Sequence, residues 1–420
     1  MKNVCVMGLG YIGLPTASVL ASNGFQVLGV DVSPRVVDTV NSGNIHIEEP
    51  GLRTVVAAAI GSGHLRAALK PEKSDVFIIA VPTPLTKDKR ADMSYVVQAT
   101  EQIVPFLSPG CLVILESTSP PGTCRDLLKP ILEKSGLNVG SDIYLAHCPE
   151  RVLPGRILTE LIQNDRVIGG IEPISAQRAK DVYATFVEGE IFLTDATTAE
   201  MVKIIENTFR DVNIAFANET ALLCEKLGIN FAEVARLANR HPRVNIHRAG
   251  PGVGGHCISV DPWFLVEKFP DDAKIIHLAR QRNDAMPHHV TNTLNDMLEG
   301  IQDPKVAILG VAFKGNVDDI RESPALEIIH QLNQQGVRVA AHDPYVKHAP
   351  IELVTLDACF ADADCVVLVT DHSDYLYLNP QQVGRTMRRR NLFDTRAFLP
   401  HDQWRNAGFR VRVLGAGEPR

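Results

Sequence analysis

Short hydrophobic runs alternate with helical patterns over the first 150 residues of the chain. Runs of four to six apolar residues, each closed by turn residues, are typical of buried parallel strands, and the helical patterns between them supply the crossover connections. The sequence therefore predicts an open, doubly wound α/β sheet. The predicted strands are residues 4–7, 27–30, 76–81, 112–115 and 143–146, and a helix is predicted at 14–23.

The pattern changes near residue 197. Residues 198–227 contain neither proline nor glycine, which predicts one helix of about 45 Å at 1.5 Å per residue. Thr197 and Glu200 match a capping box at its start. Strand patterns resume at 306–309, 337–341 and 366–369. We therefore expect two Rossmann-like doubly wound domains (1–196 and 301–420) joined by a helical central domain (197–300) that contains the long connecting helix.

Composition places the chain among ordinary multidomain globular proteins. A length of 420 residues predicts two or three domains, and the net charge of −7 argues against a nucleic-acid partner. Apolar runs stay below about 18 residues, so no membrane association is expected. The N-terminus lacks signal-peptide features, and the eight cysteines include no CxxC pair, so neither a disulfide framework nor a metal site is expected. These features favour a cytoplasmic location.

A glycine fingerprint follows the first predicted strand and opens the first predicted helix, at Gly8-x-Gly10-x-x-Gly13. In such a motif the first glycine makes a tight turn, the second lets the backbone approach a pyrophosphate, and the third allows close packing of helix on strand. Asp31 ends the next predicted strand, where its carboxylate can accept hydrogen bonds from ribose hydroxyls and repel a 2′-phosphate. The motif predicts NAD rather than NADP; the alternatives are FAD or a turn that binds nothing.

A second glycine-rich segment, residues 252–261, holds Cys257 and, four residues later, Asp261. A thiolate beside a nicotinamide can attack an aldehyde, and hydride loss from the adduct gives a thioester that water hydrolyses. The alternative is a buried structural cysteine; the surrounding glycines and Asp261 favour the catalytic interpretation.

Further candidate residues lie on the long helix and beyond it. Lys203, Asn207 and Arg210 fall on one helical face, and a lysine there can stabilise an oxyanion or move a hydroxyl proton. Lys314 follows a predicted strand and is suited to a phosphate group, while residues 239–245 carry several polar donors for an anionic ligand. The alternatives are an exposed charged helix face and a surface loop.

Together these motifs resemble the nucleotide-sugar 6-dehydrogenases, the UDP-glucose/UDP-N-acetylhexosamine 6-dehydrogenase family. Residues 8–13, the Lys203-x-x-x-Asn207 pair, residues 254–261 and residues 310–314 occur in the family's order and span nearly the whole chain. The resemblance is closest to the bacterial UDP-N-acetylhexosamine branch, through residues 148–155, 239–245 and 255–258. Val260 stands where UDP-glucose enzymes usually carry a lysine, which weakens UDP-glucose as the substrate.

The resemblance implies a four-electron oxidation of a sugar C6 alcohol to a carboxylate with two NAD⁺. The expected substrate is UDP-N-acetyl-D-mannosamine, with the gluco and galacto epimers and then UDP-glucose as alternatives. The competing classes are a two-electron hydroxyacid dehydrogenase and a non-catalytic NAD-binding protein. Relatives form homodimers or larger homo-oligomers through the central helical domain, and the same is expected here.

The resemblance also assigns roles to individual residues. It implies that Cys257 is the nucleophile, that Lys203 with Asn207 handles the hydroxyl proton, and that Asp261 and Glu150 order the hydrolytic water. The expected cofactor contacts are Gly8, Gly10, Tyr11, Ile12, Gly13, Asp31, Arg35, Thr83, Thr118 and Arg321. The expected substrate contacts are Arg151, Val152, Lys203, Asn207, Arg210, His241, Arg243, Gly254, Phe313, Lys314 and Arg396.

Overall fold

The protein is described by a computed structural model, which covers residues 2–417. Internal contacts divide the chain into two compact units. The first unit comprises Met1–Glu206 with Trp263–Lys268, and the second comprises Asn207–Pro262 with Phe269–Arg420. The predicted division into three domains, with boundaries after residues 196 and 300, stays a prediction.

The first unit is built on an eight-stranded sheet. Its strands are β1 (Asn3–Met7), β2 (Gln26–Val30), β3 (Leu65–Ala68), β4 (Val76–Ile79), β5 (Leu112–Leu115), β6 (Tyr144–His147), β7 (Arg166–Gly170) and β8 (Ile191–Asp195). The strand order is β3-β2-β1-β4-β5-β6-β7-β8, and neighbours run parallel except for the antiparallel β6–β7 pair. The order reverses between β1 and β4, which is where ligands bind in doubly wound sheets.

Helices connect these strands and cover the sheet. They are α1 (Gly13–Ser22), α2 (Pro34–Asn41), α3 (Leu52–Gly61), α4 (Ser94–Ile103), α5 (Lys129–Leu132), α6 (Ile157–Gln163) and α7 (Pro173–Tyr183), and a π-helical turn at Cys124–Leu128 precedes α5. Alternate residues of one strand point to opposite faces. Val6 and Ile78 accordingly lie in one hydrophobic cluster, and Met7 and Phe77 lie in the other.

Helix α8 (Ala196–Leu227) continues from the first unit into the second. The second unit contains a five-stranded parallel sheet, with strand order β10-β9-β11-β12-β13. Its strands are β9 (Lys305–Leu309), β10 (Arg338–His342), β11 (Cys365–Leu368), β12 (Asn391–Asp394) and β13 (Arg410–Val413). The remaining helices are α9 (Phe231–Ala238), α10 (Asp261–Lys268), α11 (Lys274–Asp284), α12 (Met286–Leu298), α13 (Pro324–Gln334), α14 (Leu356–Phe360), α15 (Pro380–Thr386) and α16 (His401–Asn406).

The predicted fold class is confirmed: the chain forms one mostly parallel and one wholly parallel doubly wound sheet, and the helices between them in sequence include one long helix. None of the helices formed by residues 2–417 has the length and apolar character that crossing a membrane requires.

The predicted capping box at the start of the long helix is wrong. Helix α8 begins at Ala196, and Asp195 accepts a hydrogen bond from the backbone N–H of Thr198 at 3.0 Å. Glu200, the supposed reciprocal partner of Thr197, instead accepts hydrogen bonds from the backbone N–H groups of Gly122 and Cys124. The carboxylate of Glu200 therefore binds a loop that is distant in sequence, and not the start of the helix as its spacing from Thr197 predicted.

Candidate active site

The glycine fingerprint forms the turn between β1 and α1, and each glycine is required for a different reason. Gly8 has φ +94°, and a Cβ there would lie 2.7 Å from the carbonyl oxygen of Ala80. A Cβ on Gly13 would lie 1.9 Å from the carbonyl oxygen of Gly8, so this position needs glycine for packing. A Cβ on Gly10 would meet no atom within 4 Å. Packing within the protein does not explain Gly10, whereas the approach of a pyrophosphate does, and the cradle fits a dinucleotide.

Asp31 follows β2 and is held against this turn. One carboxylate oxygen accepts a hydrogen bond from the N–H of Leu9 at 3.1 Å, and the other accepts one from the N–H of Ser33 at 2.9 Å. Each oxygen keeps a further lone pair, so the carboxylate can still accept hydrogen bonds from ribose hydroxyls.

The other cofactor candidates of the first unit lie around the carboxyl edge of the sheet. Thr83 is buried beyond the end of β4, and Thr118 is half-buried beyond the neighbouring β5. Tyr11 is exposed and Ile12 is half-buried in the glycine turn, while Arg35 is exposed on α2. These positions agree with a dinucleotide lying across the switch point, and their contacts with it stay predictions.

The turn after β9, which contains Gly310, does not reproduce the glycine turn between β1 and α1. Gly310 has φ +85°, as the equivalent turn requires, and Asp343 after β10 occupies the place of Asp31. The carboxylate of Asp343, however, accepts hydrogen bonds from four backbone N–H groups, those of Val311, Ala312, Tyr345 and Val346, and pairs with buried His372 at 2.9 Å. It is saturated by the protein itself and leaves no oxygen for a ribose.

Glu150 lies beyond the end of β6 and is buried. Its carboxylate pairs with Arg166 of β7 at 3.0 Å and accepts a hydrogen bond from the N–H of Arg151 at 2.8 Å. The guanidinium of Arg151 pairs with Glu206 of α8 at 2.7 Å, and Val152 is half-buried beside it. The structure therefore assembles Glu150 and Arg151 at one edge of the first unit.

A second buried carboxyl group, Glu116 at the end of β5, escaped the sequence analysis. It accepts hydrogen bonds from the hydroxyl of Tyr183 at 2.6 Å and from the hydroxyl of Thr16 at 3.4 Å. Burial, reinforced by the negative charge of Glu150, raises the pKa of Glu116 to about 7. The signal was present in the sequence as an acid directly after the apolar strand 112–115.

Lys203 is half-buried on α8, one turn before Asn207. Near it His147 is fully buried, and this burial, with a smaller effect of the Lys203 charge, lowers the pKa of His147 to about 3. Donor atoms of Cys124, His147 and Glu200 lie within 4.8 Å of one another. Because both oxygens of Glu200 already bind the backbone N–H groups of Gly122 and Cys124, the group is explained as the anchor of that loop.

Cys257 lies in the second unit and differs from the other cysteines. It is exposed, whereas the remaining seven are buried. Its carbonyl oxygen accepts hydrogen bonds from the N–H groups of Val260 at 3.1 Å and Asp261 at 2.8 Å, which forms the turn into α10. Asp261 is buried there and accepts a hydrogen bond from the side-chain amide of Asn207 at 2.6 Å. The structure thus joins three predicted catalytic residues in one unit.

The glycines before Cys257 are required by packing within the second unit. A Cβ on Gly254 would lie 2.5 Å from the carbonyl oxygen of Glu322, and one on Gly255 would lie 2.9 Å from the ring of Phe313. The N–H of Gly255 donates to the carbonyl oxygen of Arg321 at 2.9 Å. These two glycines therefore make room for neighbouring segments of the chain.

The remaining candidates of the second unit are mostly exposed cations. Arg396 pairs with Asp371 at 3.1 Å, and although burial raises the pKa of Asp371, the charge and hydrogen bond of Arg396 outweigh it and hold that pKa below its usual value. Arg321 pairs with Asp319 at 2.6 Å. The others, Arg210, His241, Arg243 and Lys314, are exposed side chains.

The fold and the glycine turn together define an NAD-binding dehydrogenase with two Rossmann-like sheets. Sequence models of one family match three consecutive parts of the chain: the NAD binding domain at residues 2–187, the central domain at 197–285 and the UDP binding domain at 307–401. The protein belongs to the UDP-glucose/GDP-mannose dehydrogenase family, and its cofactor is NAD.

Individual relatives resemble the chain over almost its full length. A UDP-N-acetyl-D-mannosamine dehydrogenase of Methanococcus maripaludis is 48% identical, with 99% of this chain and 98% of the relative covered. An NDP-N-acetyl-D-galactosaminuronic acid dehydrogenase of Ralstonia solanacearum is 47% identical over 94% of this chain and 96% of its own. The solved UDP-D-ManNAc dehydrogenase of Pyrococcus horikoshii superposes with a TM-score of 0.93 at 42% identity, covering 99% of this chain and 100% of that one.

Proposed function

We propose that this protein oxidises the C6 alcohol of UDP-N-acetyl-D-mannosamine to the carboxylate, with two NAD⁺ consumed per sugar. The observation that carries the proposal is the exposed Cys257, followed by the buried Asp261 that Asn207 holds. Oxidation to an aldehyde needs no such nucleophile, whereas oxidation to an acid through a thioester does. The similarity to relatives named for this sugar supports the choice of substrate.

In the first oxidation, Lys203 takes up the proton of the C6 hydroxyl or stabilises the resulting alkoxide, with Asn207 beside it. A hydride leaves C6, and the product at this carbon is an aldehyde. When bound, NAD⁺ supplies the hydride acceptor for both oxidations. The glycine turn and Asp31 bind the dinucleotide, and Tyr11, Ile12, Arg35, Thr83, Thr118 and Arg321 are proposed as its further contacts.

In the second oxidation, the thiolate of Cys257 adds to the aldehyde and forms an S–C6 bond. Loss of a second hydride from C6 gives a thioester. Water then adds to the thioester carbon, the S–C6 bond breaks, and the carboxylate is released with the thiolate restored. Glu150 and Asp261 order this water, and either one can receive its proton. In sum, one alcohol, one water and two NAD⁺ give one carboxylate, two NADH and three protons.

The nucleotide sugar is proposed to bind through cations and loop residues. Its diphosphate requires positive charge, which Arg243, Lys314 and Arg396 supply despite the net charge of −7. The further proposed contacts are Arg151, Val152, Arg210, His241, Gly254 and Phe313.

Other substrates remain as alternatives. The galactosaminuronic acid dehydrogenase is 47% identical to this chain and the mannosamine dehydrogenase is 48% identical, so overall identity does not separate the epimers. UDP-GlcNAc and UDP-GalNAc are the nearest alternatives, followed by UDP-glucose.

The test is NADH release at 340 nm with UDP-ManNAc, UDP-GlcNAc, UDP-GalNAc and UDP-glucose in parallel. We expect two NADH per UDP-ManNAc and little from the other three sugars. Two NADH from another acetylated sugar would correct the substrate and keep the chemistry. One NADH per sugar, or none while NAD still binds, would reject the four-electron reaction.

We further propose that the protein is a homodimer joined through helix α8. Phe209, Phe216, Leu223 and Leu227 are each more than half exposed, and their spacing of seven, seven and four residues places them on one side of the helix. An apolar stripe of this kind on a helix marks an interaction surface.

A further inference from the structure

A buried polar cluster surrounds the carboxylate of Glu150 within the first unit. Its centre is Arg166, which begins β7 and is only 4% exposed. Besides its 3.0 Å pair with Glu150, Arg166 donates to the carbonyl oxygen of Leu161 at 3.2 Å and contacts the sulfur of Cys148 at 3.6 Å. The mechanism proposed above does not use Arg166.

The guanidinium of Arg166 is also held by aromatic rings. Its central carbon lies 4.7 Å from the ring centre of Tyr183 and 5.7 Å from that of Phe186. Rings at this distance attract a guanidinium and restrict its rotation. Arg166 therefore presents its charge to Glu150 in a fixed orientation, which a flexible surface arginine would not do.

Stability alone does not account for this arrangement. Burying an ion pair removes two charges from water, and well-packed apolar side chains of similar volume are often at least as stable. The desolvation cost at Arg166 and Glu150 therefore points to a functional use of the charged carboxylate.

The other charged and titratable groups of the cluster favour the pairing of Arg166 with Glu150. Burial tends to lower the pKa of Arg166, but nearby negative charges, above all that of Glu150, outweigh it and raise the pKa above its usual value. Burial raises the pKa of the Cys148 thiol to about 12, and burial keeps the Tyr183 phenol protonated as well. Glu116, with its pKa raised to about 7, is partly protonated at neutral pH. Glu150 is then the principal partner of the Arg166 charge.

We propose that Arg166 is a positioning residue, which pairs with the Glu150 carboxylate and holds it in one orientation for hydrolysis of the thioester. This inference rests on the proposed function, in which Glu150 orders the hydrolytic water. In that step a C6–O bond forms, the C6–S bond breaks, the sulfur leaves as thiolate, and the protons of water depart by way of the carboxylates.

A first experiment needs no substrate. Chemical unfolding of Arg166→Met and of the double variant Arg166→Met/Glu150→Gln is measured between pH 5 and 8. A buried carboxylate that has lost its cation costs more than a neutral amide, and this cost grows as the pH rises, so Arg166→Met should lose stability relative to the double variant as the pH rises. Glu116 is present in both variants, and its titration therefore largely cancels. A difference that does not change with pH would overturn the proposal.

A second experiment follows turnover. Arg166→Lys retains the charge without the planar fork and serves as the variant that folds if the methionine variant does not. At pH 7 both variants should show a rapid release of two NADH per site followed by slow turnover, with the sugar bound to Cys257 in mass spectra of quenched samples. Turnover of Arg166→Met should recover toward pH 9, roughly tenfold for each pH unit by which its pH–rate profile has moved, whereas Arg166→Lys keeps the charge and should show little recovery.

The control is Arg178→Met, an arginine of the same unit that stacks on Tyr144 at 3.9 Å and lies outside the cluster. It should leave the pH profile unchanged. A slower rate in Arg166→Lys without the burst of NADH and without sugar bound to Cys257 would show a structural role only and overturn the inference, while wild-type turnover stays normal. Absence of turnover in the wild type would instead reject the proposed function, and the unfolding experiment would still decide the role of Arg166.

Discussion

The side-chain amide of Asn207 donates to a carboxylate oxygen of Asp261 across 2.6 Å, and so joins helix α8 to the first residue of α10. The backbone N–H of Asp261 donates to the carbonyl oxygen of Cys257 at 2.8 Å. The same residue thus anchors the cysteine turn through its backbone and the long helix through its side chain. Because Asn207 fixes the side chain of Asp261, both residues belong to the candidate site.

Replacing Asn207 by alanine should therefore affect both stability and turnover. It leaves a buried carboxylate without this donor, which costs about 1–3 kcal/mol of unfolding free energy. Turnover should fall because Asp261 is no longer fixed, while NAD affinity stays unchanged. The measurements are urea unfolding, steady-state rates and NAD titration. Asn213→Ala is the matched control, because Asn213 lies on the same helix and donates only to a local carbonyl. Equal effects of the two variants would contradict the proposal that Asn207 fixes Asp261 for turnover.

Thiol reactivity should single out Cys257. The eight cysteines form no disulfide, and only Cys257 is exposed, so a thiol reagent should modify one cysteine rapidly in the native protein and eight after denaturation. Cys257→Ser should abolish the rapid phase and acid formation while NAD still binds. In the control Cys111→Ser, the rapid phase should remain and the denatured count should drop to seven. Rapid modification of two or more native cysteines would refute the described burial.

The two glycines Gly10 and Gly13 should respond differently to alanine. At Gly13 the new methyl group collides with the carbonyl oxygen of Gly8, so the fold itself should be destabilised. At Gly10 the methyl group meets no protein atom within 4 Å and would only obstruct the pyrophosphate. We expect Gly10→Ala to keep the wild-type melting temperature and to weaken NAD binding at least about tenfold, or about 1.4 kcal/mol. Unchanged NAD affinity would place the dinucleotide elsewhere.

The exposed apolar residues of α8 predict a dimer, and charged side chains introduced among them should disrupt it. Phe216→Glu with Leu223→Glu should convert a dimer into a monomer in analytical ultracentrifugation, because two carboxylates cannot be buried unpaired at the interface. Tyr377→Glu is the control, an exposed aromatic outside that helix. A wild-type monomer, or a dimer that survives both substitutions, would exclude this surface.

Periodicity predicted the fold because the central strands are buried on both faces. Strands β4 and β5 are apolar throughout, and their runs could be recognised without any knowledge of the tertiary structure. Spacing likewise identified Gly8 and Gly13, whose roles are local.

Contacts between segments that are distant in sequence could not be predicted from residue spacing. Glu200 fits a local cap in sequence but binds backbone groups near residue 122, and nothing in the spacing indicates that contact. Arg166 and Glu116 left a weaker signal: Glu116 directly follows the apolar strand β5, and Arg166 is the first residue of β7. Only the sheet order, which brings β5, β6 and β7 side by side, shows that they share one cluster.

The pKa of Glu116 predicts a specific dependence of stability on pH. Its pKa in the folded protein, about 7, lies above the ordinary 4.5, chiefly because of burial. The folded state therefore binds this proton more tightly than the unfolded state. The resulting stabilisation is complete below about pH 4.5 and is lost as the pH rises through 7, with a total on the order of 3 kcal/mol.

Glu116→Gln should remove this pH dependence. Its amide oxygen can still accept the hydrogen bond of Tyr183 and carries no charge to titrate. Urea unfolding at pH 5, 6, 7 and 8 should show the wild type losing stability relative to the variant as the pH rises. Glu188→Gln, an exposed glutamate of the same unit, should track the wild type. Parallel pH curves for wild type and Glu116→Gln would mean that Glu116 titrates as an ordinary carboxyl group, and that the charge of Arg166 is shared between two carboxylates rather than held for Glu150.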